Sequence, residues 1–487
     1  MKMKNILACA VALLSVCVAE ARLSVGPLFG DGMVLQQQEE VNVWGWAEAR
    51  QAVTVKASWG VRSKCVADNT GRWQTKLKTP RATFEPGRVE IACGKEKIVI
   101  NDVLIGEVWF ASGQSNMEMP LKGFAGCPTA GSNDYISLSG RYAGKIRFVT
   151  VPTSPQKVPT DTVTVRWEDC NPKSAASFCA VAYFFGIRLQ EALGCPVGLI
   201  NSSLGATRVE GWTPRELLEG YKDIDLGEAV FDQVGKVKPA YNIQRDLPLV
   251  FYNGMIHPFV GYGIKGFLWY QGEANVSYQC ERYAERFVNM VGEWRKRWAM
   301  GDLPFYYVEI CPFEYWWVKP PIMSCLLREQ QLKAQSMLPN MGMVSTNDLV
   351  ADYEYWQIHP SMKKEVGDRL CYWALAEAYG IEGVACKNPT FKSMTIEGSK
   401  AMIDFNDATE GFDRNVRIEG FEICGPDSVF HKARVGTSGS RVSVEASEVK
   451  EPIAVRYCYK PFAKGNLKSV YGLPVVPFRT DDFPLVK

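Results

Sequence analysis

This sequence has a small net charge, few histidines and few long hydrophobic runs. The 487 residues carry a formal net charge of only +2, and Lys and Arg are scattered, so neither a nucleic-acid groove nor an electrostatic membrane patch is predicted. The three histidines lack a His or Cys neighbour at ligand spacing, which argues against a His-built zinc site. The G-x-S-x-G motif is also absent, which disfavours a lipase or peptidase.

Cysteine is present, but its spacing shows no disulfide framework. Two of the 15 cysteines precede residue 21, which leaves an odd number, and no C-x-x-C pair occurs. Several lie inside apolar runs, as Cys325 does. We therefore predict that most of them are small buried hydrophobic residues.

The N-terminus has the pattern of an export signal. Lys2 and Lys4 precede the apolar run Ile6–Val18, and Ala19-Glu20-Ala21 follows it. This pattern predicts a signal peptide over residues 1–21, cleaved after Ala21. The run is too short for a permanent membrane span, so we expect a periplasmic or secreted protein.

A lipoprotein is the alternative interpretation of the same segment. Leu14–Cys17 resembles a lipobox, and lipidation at Cys17 would anchor the chain to a membrane. Val16 is larger than the residue that usually precedes such a cysteine, so the cleavable signal is preferred.

The chain is too long for one compact core, so two or three domains are expected. Residues 22–101 and 382–487 show short alternating runs separated by Gly, Pro and Asp, which predict an N-terminal β-sandwich and a C-terminal β-rich domain. Residues 102–381 alternate strands with helices, which predicts an α/β domain with a parallel sheet and helices on both faces.

Individual elements of the central region can be placed from periodicity. Ala180–Leu193 has helical spacing, and Val197–Asn201 and Ile264–Tyr270 are apolar strands. A helix is predicted from about Tyr278 to Trp298. In parallel sheets of this kind, ligands bind beyond the carboxyl ends of the strands, and we expect the functional residues there.

The stretch "VWFASGQSNMEMP", Val108 to Pro120, ends a strand at a glycine and continues into Gln114, Ser115 and Asn116. A sharp turn here can expose the Ser115 hydroxyl and direct backbone N–H groups at the same point. An isolated G-x-S is more often an ordinary helix start, so the prediction depends on the other strand ends.

Those strand ends carry the complementary groups. Gly205 follows one strand, "WYQGEAN" (Trp269 to Asn275) follows another, and His359 lies in a loop before a helix. Together with Ser115 they supply a nucleophile, oxyanion donors and a base, the set that acyl transfer requires. His257 and His431 have more ordinary surroundings and are less suitable as the base.

These motifs, in this order, resemble the sialate O-acetylesterase family of SGNH hydrolases. The match covers nearly the whole chain after the signal. It is carried by "GEVWFASGQSNMEMPL" (106–121), "GLINSSLGATRVEGW" (198–212), "YNGMIHP" (252–258), "WYQGEAN" (269–275), "LREQQ" (327–331), "IHPSMKKEVGDRL" (358–370) and "GLPVVPFRTDDFPL" (472–485). The resemblance implies an SGNH-hydrolase-like parallel sheet flanked by helices.

It also implies a role for each residue. Ser115 would be the nucleophile and one oxyanion donor, His359 the base, and Gly205 N–H and the Gln271 amide the other donors. Glu273 and Asn275 would brace these loops or contact substrate.

One position departs from the family pattern. SGNH relatives generally carry an aspartate three residues before the histidine, and sialate O-acetylesterases often carry one two residues before it; here these are Trp356 and Gln357. Asp348, Asp352 or Glu354 could orient His359 instead, or a backbone carbonyl could hold Nδ1–H in a Ser–His dyad. The acid of a triad can be worth several orders of magnitude in rate.

The resemblance implies removal of O-acetyl groups, most specifically the 9-O-acetyl group of sialic acids, without a metal or cofactor. Arg208 is a candidate for binding the sialic acid carboxylate, unless it only braces its loop. Acetylated xylan or another polysaccharide is an alternative substrate. A non-catalytic glycan-binding protein is the competing class, since two β-rich flanks and 12% aromatic residues would suit it.

Overall fold

The computed structural model describes residues 22–485. The predicted signal peptide, its cleavage site and the lipidation candidate Cys17 lie outside the described residues. Within residues 22–485, no helix combines the length and the apolar character needed to cross a membrane.

The first part of the described chain consists of short strands. β1, β3 and β6 form a three-stranded sheet, and β4, β5 and β7 pair antiparallel in a second one. Burial alternates along β6, where Trp73 and Leu77 face the core, as expected for half-buried strands. The strands are β1 (Ser24–Val25), β2 (Val34–Gln36), β3 (Glu40–Trp46), β4 (Ala52–Ala57), β5 (Arg62–Val66), β6 (Arg72–Lys78) and β7 (Thr83–Cys93).

A single long strand, β8 (Glu96–Gly113), connects this part to the central sheet. Its first half forms a hairpin with β7, and its second half lies in the middle of the parallel sheet. The predicted domain limit at residue 101 falls inside β8. Asn101-Asp102 has the composition of a turn, but the strand continues through it with Asp102 in the left-handed conformation (φ 56°).

The central region is a mixed α/β structure, which confirms the predicted class. Its strand order is β10-β9-β11-β8-β12-β13-β14; all neighbouring pairs are parallel except β10 with β9. The remaining strands are β9 (Ile146–Thr150), β10 (Glu168–Asp169), β11 (Val197–Ser203), β12 (Gly266–Tyr270), β13 (Phe305–Val308) and β14 (Met341–Val344). The α-helices are α1 (Ser115–Glu118), α2 (Ser132–Leu138), α3 (Pro172–Ser177), α4 (Ala180–Leu193), α5 (Arg215–Leu218), α6 (Tyr283–Trp298), α7 (Met323–Ala334) and α8 (Lys363–Trp373).

Helices cover both faces of this sheet. On β8, Val108 and Phe110 belong to one buried cluster together with residues of α6 and α7. Trp109 and Ala111 point to the other side, into a cluster with residues of α4 and α8. Because both faces are buried, the strands are continuous apolar runs rather than alternating ones.

Helix α4 has the predicted bounds, whereas α6 begins later than predicted. The helix predicted from Tyr278 starts at Tyr283. Gln279 has a left-handed backbone (φ 49°), and Cys280–Arg282 forms a 3-10 turn. A left-handed residue cannot continue a right-handed helix, and apolar spacing alone does not reveal it.

The last part of the chain contains two antiparallel four-stranded sheets with a shared core. The sheet orders are β15-β16-β20-β19 and β18-β17-β21-β22, and Ile403 and Val442 of the first share a buried cluster with Ile423 and Val455 of the second. The strands are β15 (Thr390–Glu397), β16 (Lys400–Asn406), β17 (Phe421–Cys424), β18 (His431–Lys432), β19 (Arg434–Ser438), β20 (Arg441–Glu445), β21 (Ala454–Tyr457) and β22 (Phe478–Arg479).

The cysteine prediction is confirmed for the described part of the chain. All thirteen cysteines in residues 22–485 are free thiols, and all but Cys65 and Cys127 are buried.

Candidate active site

The turn that carries Ser115 is fixed by a glycine at the end of β8. Gly113 has φ 139°, and a Cβ placed there would lie 2.2 Å from the carbonyl oxygen of Tyr270. Gln114 N–H then donates to that same oxygen at 2.9 Å. The chain therefore turns tightly against β12, and Ser115 begins α1 immediately beyond the sheet edge.

Gly205 lies directly against Ser115. A Cβ at Gly205 would be 3.0 Å from Ser115 Cβ, so a larger side chain would crowd Ser115. Its N–H, predicted as an oxyanion donor, donates to Glu118 Oε2 at 2.6 Å. Its carbonyl oxygen accepts from Arg245 Nη1 at 3.1 Å. The structure places this glycine beside Ser115, and the Glu118 carboxylate accepts its N–H.

His359 lines the same cavity as Ser115 and Gly205. The cavity has a volume of about 670 Å³ and opens beyond the carboxyl ends of the parallel strands. The Nε2 atom of His359 is buried and has no hydrogen-bond partner among residues 22–485. An edge-on contact with Phe124, at 5.3 Å between ring centroids, packs against the imidazole.

The surroundings keep this imidazole neutral. Burial, and second the charge of Lys363, lower the pKa of His359 from 6.5 to about 4. A neutral imidazole with an unengaged ring nitrogen can accept a proton, which is what a general base requires.

None of the three acids proposed to orient His359 contacts its side chain in the described structure. Asp348 is buried and accepts from Arg369 Nη1 and Nη2 at 2.8 and 2.7 Å, and from Lys468 Nζ at 2.7 Å. Although burial acts to raise the pKa of Asp348, these cations lower it overall. The carboxylate belongs to an ion-pair cluster, which corrects the prediction for this residue.

Asp352 and Glu354 are corrected for different reasons. The Asp352 side chain is 93% exposed, and its nearest cation is Lys464 Nζ at 3.9 Å. Glu354 accepts from Ala351 N–H at 2.8 Å and from Ser361 N–H at 2.9 Å. Both of its oxygens therefore bracket the loop that contains His359, and Glu354 shapes this loop without touching the imidazole.

Gln271 also differs from its predicted role. Its Nε2 donates to Thr207 O at 3.0 Å and to Asn275 Oδ1 at 2.8 Å, and its Oε1 accepts from Tyr283 Oη at 2.9 Å. The residue is fully buried. Because both amide hydrogens are already donated inside the protein, Gln271 has none left for an oxyanion.

Asn275 braces its loop and does not line the cavity. Its Oδ1 accepts from Val209 N–H at 3.0 Å, and its Nδ2 donates to Glu210 Oε2 at 3.0 Å. Asn275 was predicted either to contact substrate or to brace its loop. Its hydrogen bonds support the bracing role and argue against substrate contact. Glu273 does line the cavity; one oxygen accepts from Asn116, and Oε2 is buried without a partner in the described structure.

Arg208 lines the cavity as well. Its guanidinium lies 4.0 Å from the ring centroid of Tyr278 and 3.7 Å from Asp246 Oδ2. Stacking on a tyrosine holds the flat guanidinium in place while its edge stays accessible for a ligand.

A buried network that sequence reasoning missed connects three loops of the site. Asn116 Nδ2 donates to Glu273 Oε1 at 2.5 Å and to Ile358 O at 3.0 Å, and its Oδ1 accepts from Lys363 Nζ at 2.6 Å. Burial lowers the pKa of Lys363 to about 8. Asn116 was visible in the quoted motif, but nothing local to Lys363 indicated that its ammonium group would be buried there.

Gln114 and Glu118, on either side of Ser115, were also missed as site residues. Both line the cavity. Gln114 Oε1 accepts from Gly272 and Ala274 N–H, each at 3.2 Å. Burial raises the pKa of Glu118, against the opposing effects of the Gly205 N–H and Arg245. The spacing of Glu118, one helical turn after Ser115, was the available signal.

The comparison with protein families matches residues 105–376 to the family described as carbohydrate esterase, sialic acid-specific acetylesterase. The chain belongs to this family. It is an enzyme of the carboxylic ester hydrolase class, and the matched residues include Ser115, Gly205 and His359.

Named relatives agree with this assignment. The human sialate O-acetylesterase is 28% identical over 404 residues, which cover 76% of this chain and 74% of the human protein. The mouse sialate O-acetylesterase is 25% identical over 442 residues, covering 80% and 78%. Among solved structures, a carbohydrate acetylesterase from Xanthomonas citri superposes with a TM-score of 0.83 at 32% identity, covering 94% of this chain and 100% of that one.

Proposed function

We propose that this family member is an exported esterase that removes O-acetyl groups from sugars by Ser–His acyl transfer in an SGNH-type site. One observation carries the proposal. Ser115 and His359, far apart in the chain, line one cavity at the carboxyl edge of the parallel sheet. Export depends on the signal pattern of residues 1–21.

In the first half of the proposed reaction, Ser115 Oγ attacks the acetyl carbonyl carbon while His359 accepts the hydroxyl proton. The tetrahedral intermediate then expels the sugar oxygen, which takes the proton from His359. In the second half, His359 deprotonates a water molecule that attacks the acetyl-enzyme. Acetate leaves, and Ser115 regains its proton.

The oxyanion donors in this proposal are the N–H groups of Ser115 and Gly205. Since Gly205 N–H donates to Glu118 in the structure described, the Glu118 carboxylate must release it before an oxyanion can bind there. Gln114 lines the cavity, whereas Gln271 does not, so we assign the side-chain amide of the oxyanion hole to Gln114. This assignment replaces the one expected from the family motif.

The base is proposed to work as part of a dyad. Asp348 and Glu354 are engaged elsewhere, and Asp352 is exposed. The loop geometry is set by Glu354 and by the backbone N–H of His359, which donates to Gln357 Oε1 at 3.0 Å. Backbone and packing contacts therefore orient the imidazole, in place of the carboxylate of a triad.

For the substrate we propose O-acetylated sialic acid, because the descriptions of the family and of the human and mouse relatives name sialic acid or sialate. The 9-O-acetyl ester is the specific form that we propose. Arg208 and Arg245 both line the cavity and supply guanidinium groups for the sugar carboxylate. Acetyl xylan and other neutral acetylated polysaccharides are the substrates against which this must be tested.

The deciding experiment is acetate release from matched substrates by the purified protein. A 9-O-acetylated sialoside and acetylated xylan are compared at equal acetyl concentration. We expect release from the sialoside to be faster. Faster acetate release from xylan would show that the substrate is an acetylated polysaccharide and not a sialic acid. If neither substrate releases acetate while the protein still binds the glycans, the esterase proposal is wrong and a glycan-binding role replaces it.

The loss of activity on the acid side of the pH profile should occur at a lower pH than for an ordinary histidine. Because His359 must be neutral to accept a proton and its pKa is lowered to about 4, we expect kcat/KM for p-nitrophenyl acetate to stay high down to about pH 5 and to be halved near pH 4. A midpoint near 6.5, the ordinary histidine value, would contradict this assignment.

Stability must be followed in the same experiment. Between about pH 6.5 and pH 4, the unfolded chain binds a proton at His359 that the folded chain does not. The free energy of unfolding therefore falls as the pH is lowered through this window. Melting temperatures at each pH separate loss of fold from titration of the base.

A further inference from the structure

Four exposed aromatic side chains form a continuous surface beside the cavity: Trp316, Trp317, Tyr355 and Trp356, here called the aromatic surface. Their exposed fractions are 51%, 50%, 39% and 55%. Trp317 also lines the cavity, so the surface begins at the active site. Burying such rings would be favourable, and contiguous exposed apolar area of this kind indicates a binding surface.

The rings contact each other at large interplanar angles, and none of these contacts is a face-to-face stack. Trp316 lies 4.7 Å from Trp317 at an interplanar angle of 88°, and 4.7 Å from Trp356 at 61°. Tyr355 lies 5.1 Å from Trp356 at 54°. No two of these rings are stacked face to face, and each of the four residues stays between 39% and 55% exposed, so the surface presents aromatic area to the solvent.

Two loops form this surface, one containing Trp316 and Trp317 and the other containing Tyr355 and Trp356. Contacts with the underlying protein fix their positions. Buried Phe313 contacts Trp316 and Trp317, each at 5.4 Å between ring centroids. Glu314 N–H donates to Tyr355 O at 3.4 Å, which links the first loop to the second. The rings are therefore ordered before any ligand binds, and this reduces the entropy cost of binding.

The second loop also carries His359. Trp356 stands three residues before it, at the position where SGNH relatives generally carry an aspartate, and Glu354 fixes this loop through Ala351 and Ser361. A sugar stacked on Trp356 would therefore lie at a fixed place relative to the base.

We propose that the aromatic surface binds sugar rings adjacent to the acetylated sugar, so that the enzyme acts on acetylated oligosaccharide or polysaccharide chains in preference to free acetylated monosaccharides. This inference rests on the proposed function. An esterase leaves the sugar joined to its neighbours, and the rest of the glycan must leave the cavity beside Trp317. The apolar C–H faces of sugar rings stack on aromatic rings, while the hydroxyls at their edges remain hydrated.

The distribution of exposed aromatic residues supports this occupant. Seven aromatic side chains with known placement in residues 22–485 are exposed, and five of them lie on these two loops; the fifth is Tyr353. Protein–protein interfaces are also enriched in aromatic residues and have polar rims, so the position of these side chains, and not their number, indicates the occupant. Here the aromatic side chains are concentrated at the mouth of a catalytic cavity.

The test compares substrates that carry the same acetyl ester, either on a free monosaccharide or on an oligosaccharide. We measure kcat/KM for free 9-O-acetyl-N-acetylneuraminic acid and for 9-O-acetylated sialyllactose, and in parallel for acetylated xylose and acetylated xylotetraose. In whichever pair is hydrolysed, we expect the oligosaccharide to be preferred by about tenfold or more. The double variant Trp316→Ala/Trp356→Ala should reduce that preference to near one by raising KM, whereas Trp356→Phe should retain most of it.

The matched control is Tyr471→Ala, which removes an aromatic side chain that is 60% exposed in the C-terminal part of the chain and should leave the preference unchanged. An unchanged preference in the double variant, or no preference in the unaltered enzyme, would overturn the proposal. Trp317 is left in place because it lines the cavity.

A binding arm separates this inference from the proposed function. Unacetylated sialyllactose and xylotetraose are titrated into the full chain by calorimetry, which needs no turnover. Weakening by about tenfold in the double variant supports the aromatic surface even if no acetylated sugar is hydrolysed. If neither sugar binds, or if both bind the double variant equally well, the aromatic surface is not a glycan site.

Discussion

Replacing Ser115 by alanine is expected to lower kcat/KM for acetate release by about 10⁴-fold or more, because the attacking oxygen is removed. The substitution keeps the Cβ that packs against Gly205, so the fold and the cavity should be retained. Acetate release from p-nitrophenyl acetate and from the best acetylated sugar measures the effect. Equal loss on both substrates is expected, since the chemical step is common to them.

Ser277→Ala provides the matched control for this variant. Ser277 lines the same cavity and is exposed, so its hydroxyl tests whether any serine in the cavity matters. We expect its kcat/KM to remain within about threefold of the unaltered enzyme, in the range of a lost surface contact. If Ser115→Ala retained full activity, Ser115 would not be the nucleophile.

Replacing His359 by asparagine should lower kcat/KM by about 10³- to 10⁴-fold, since the imidazole is the group assigned to accept the serine proton. Asparagine is similar in size to imidazole and cannot act as a base at neutral pH. The residual rate should no longer show the acid limb near pH 4. Stopped assays with p-nitrophenyl acetate across the pH range measure both effects.

His431→Asn is the control for this second variant, because His431 lies in β18 of the C-terminal part and does not line the cavity. Its activity and pH profile should match those of the unaltered enzyme. An acid limb that persisted in His359→Asn would show that another group titrates in the reaction.

The sequence placed the main elements of the site because their signals are local. Glycine at position 113 and the polar run after it mark a tight turn, and apolar runs of strand length mark the parallel strands. Since parallel strands end at one edge of a sheet, Ser115, Gly205 and His359 could be expected at one cavity. The structure brings them there.

The hydrogen-bond partners of these residues were less predictable. The family motif assigned the Gln271 amide to the oxyanion, but both its hydrogens are donated to Thr207 and Asn275. Asp348 was close to His359 in sequence, yet Arg369 of α8 and Lys468 of the C-terminal part neutralise it. Lys468 lies far from Asp348 in the chain, so the sequence around His359 could not reveal this ion pair.

Sequence alone indicated the α/β class, the family and the positions of Ser115 and His359 as candidate nucleophile and base, because these follow from periodicity, turn chemistry and short motifs. Only the tertiary structure shows which polar atoms of the site are hydrogen-bonded inside the protein. In the folded chain, Gly205 N–H donates to Glu118. The Lys363 ammonium group is buried against Asn116, and Trp316 contacts Trp356. A hydrogen bond or a ring contact depends on distances of a few ångströms between residues far apart in the chain, and these are fixed only when the whole chain packs.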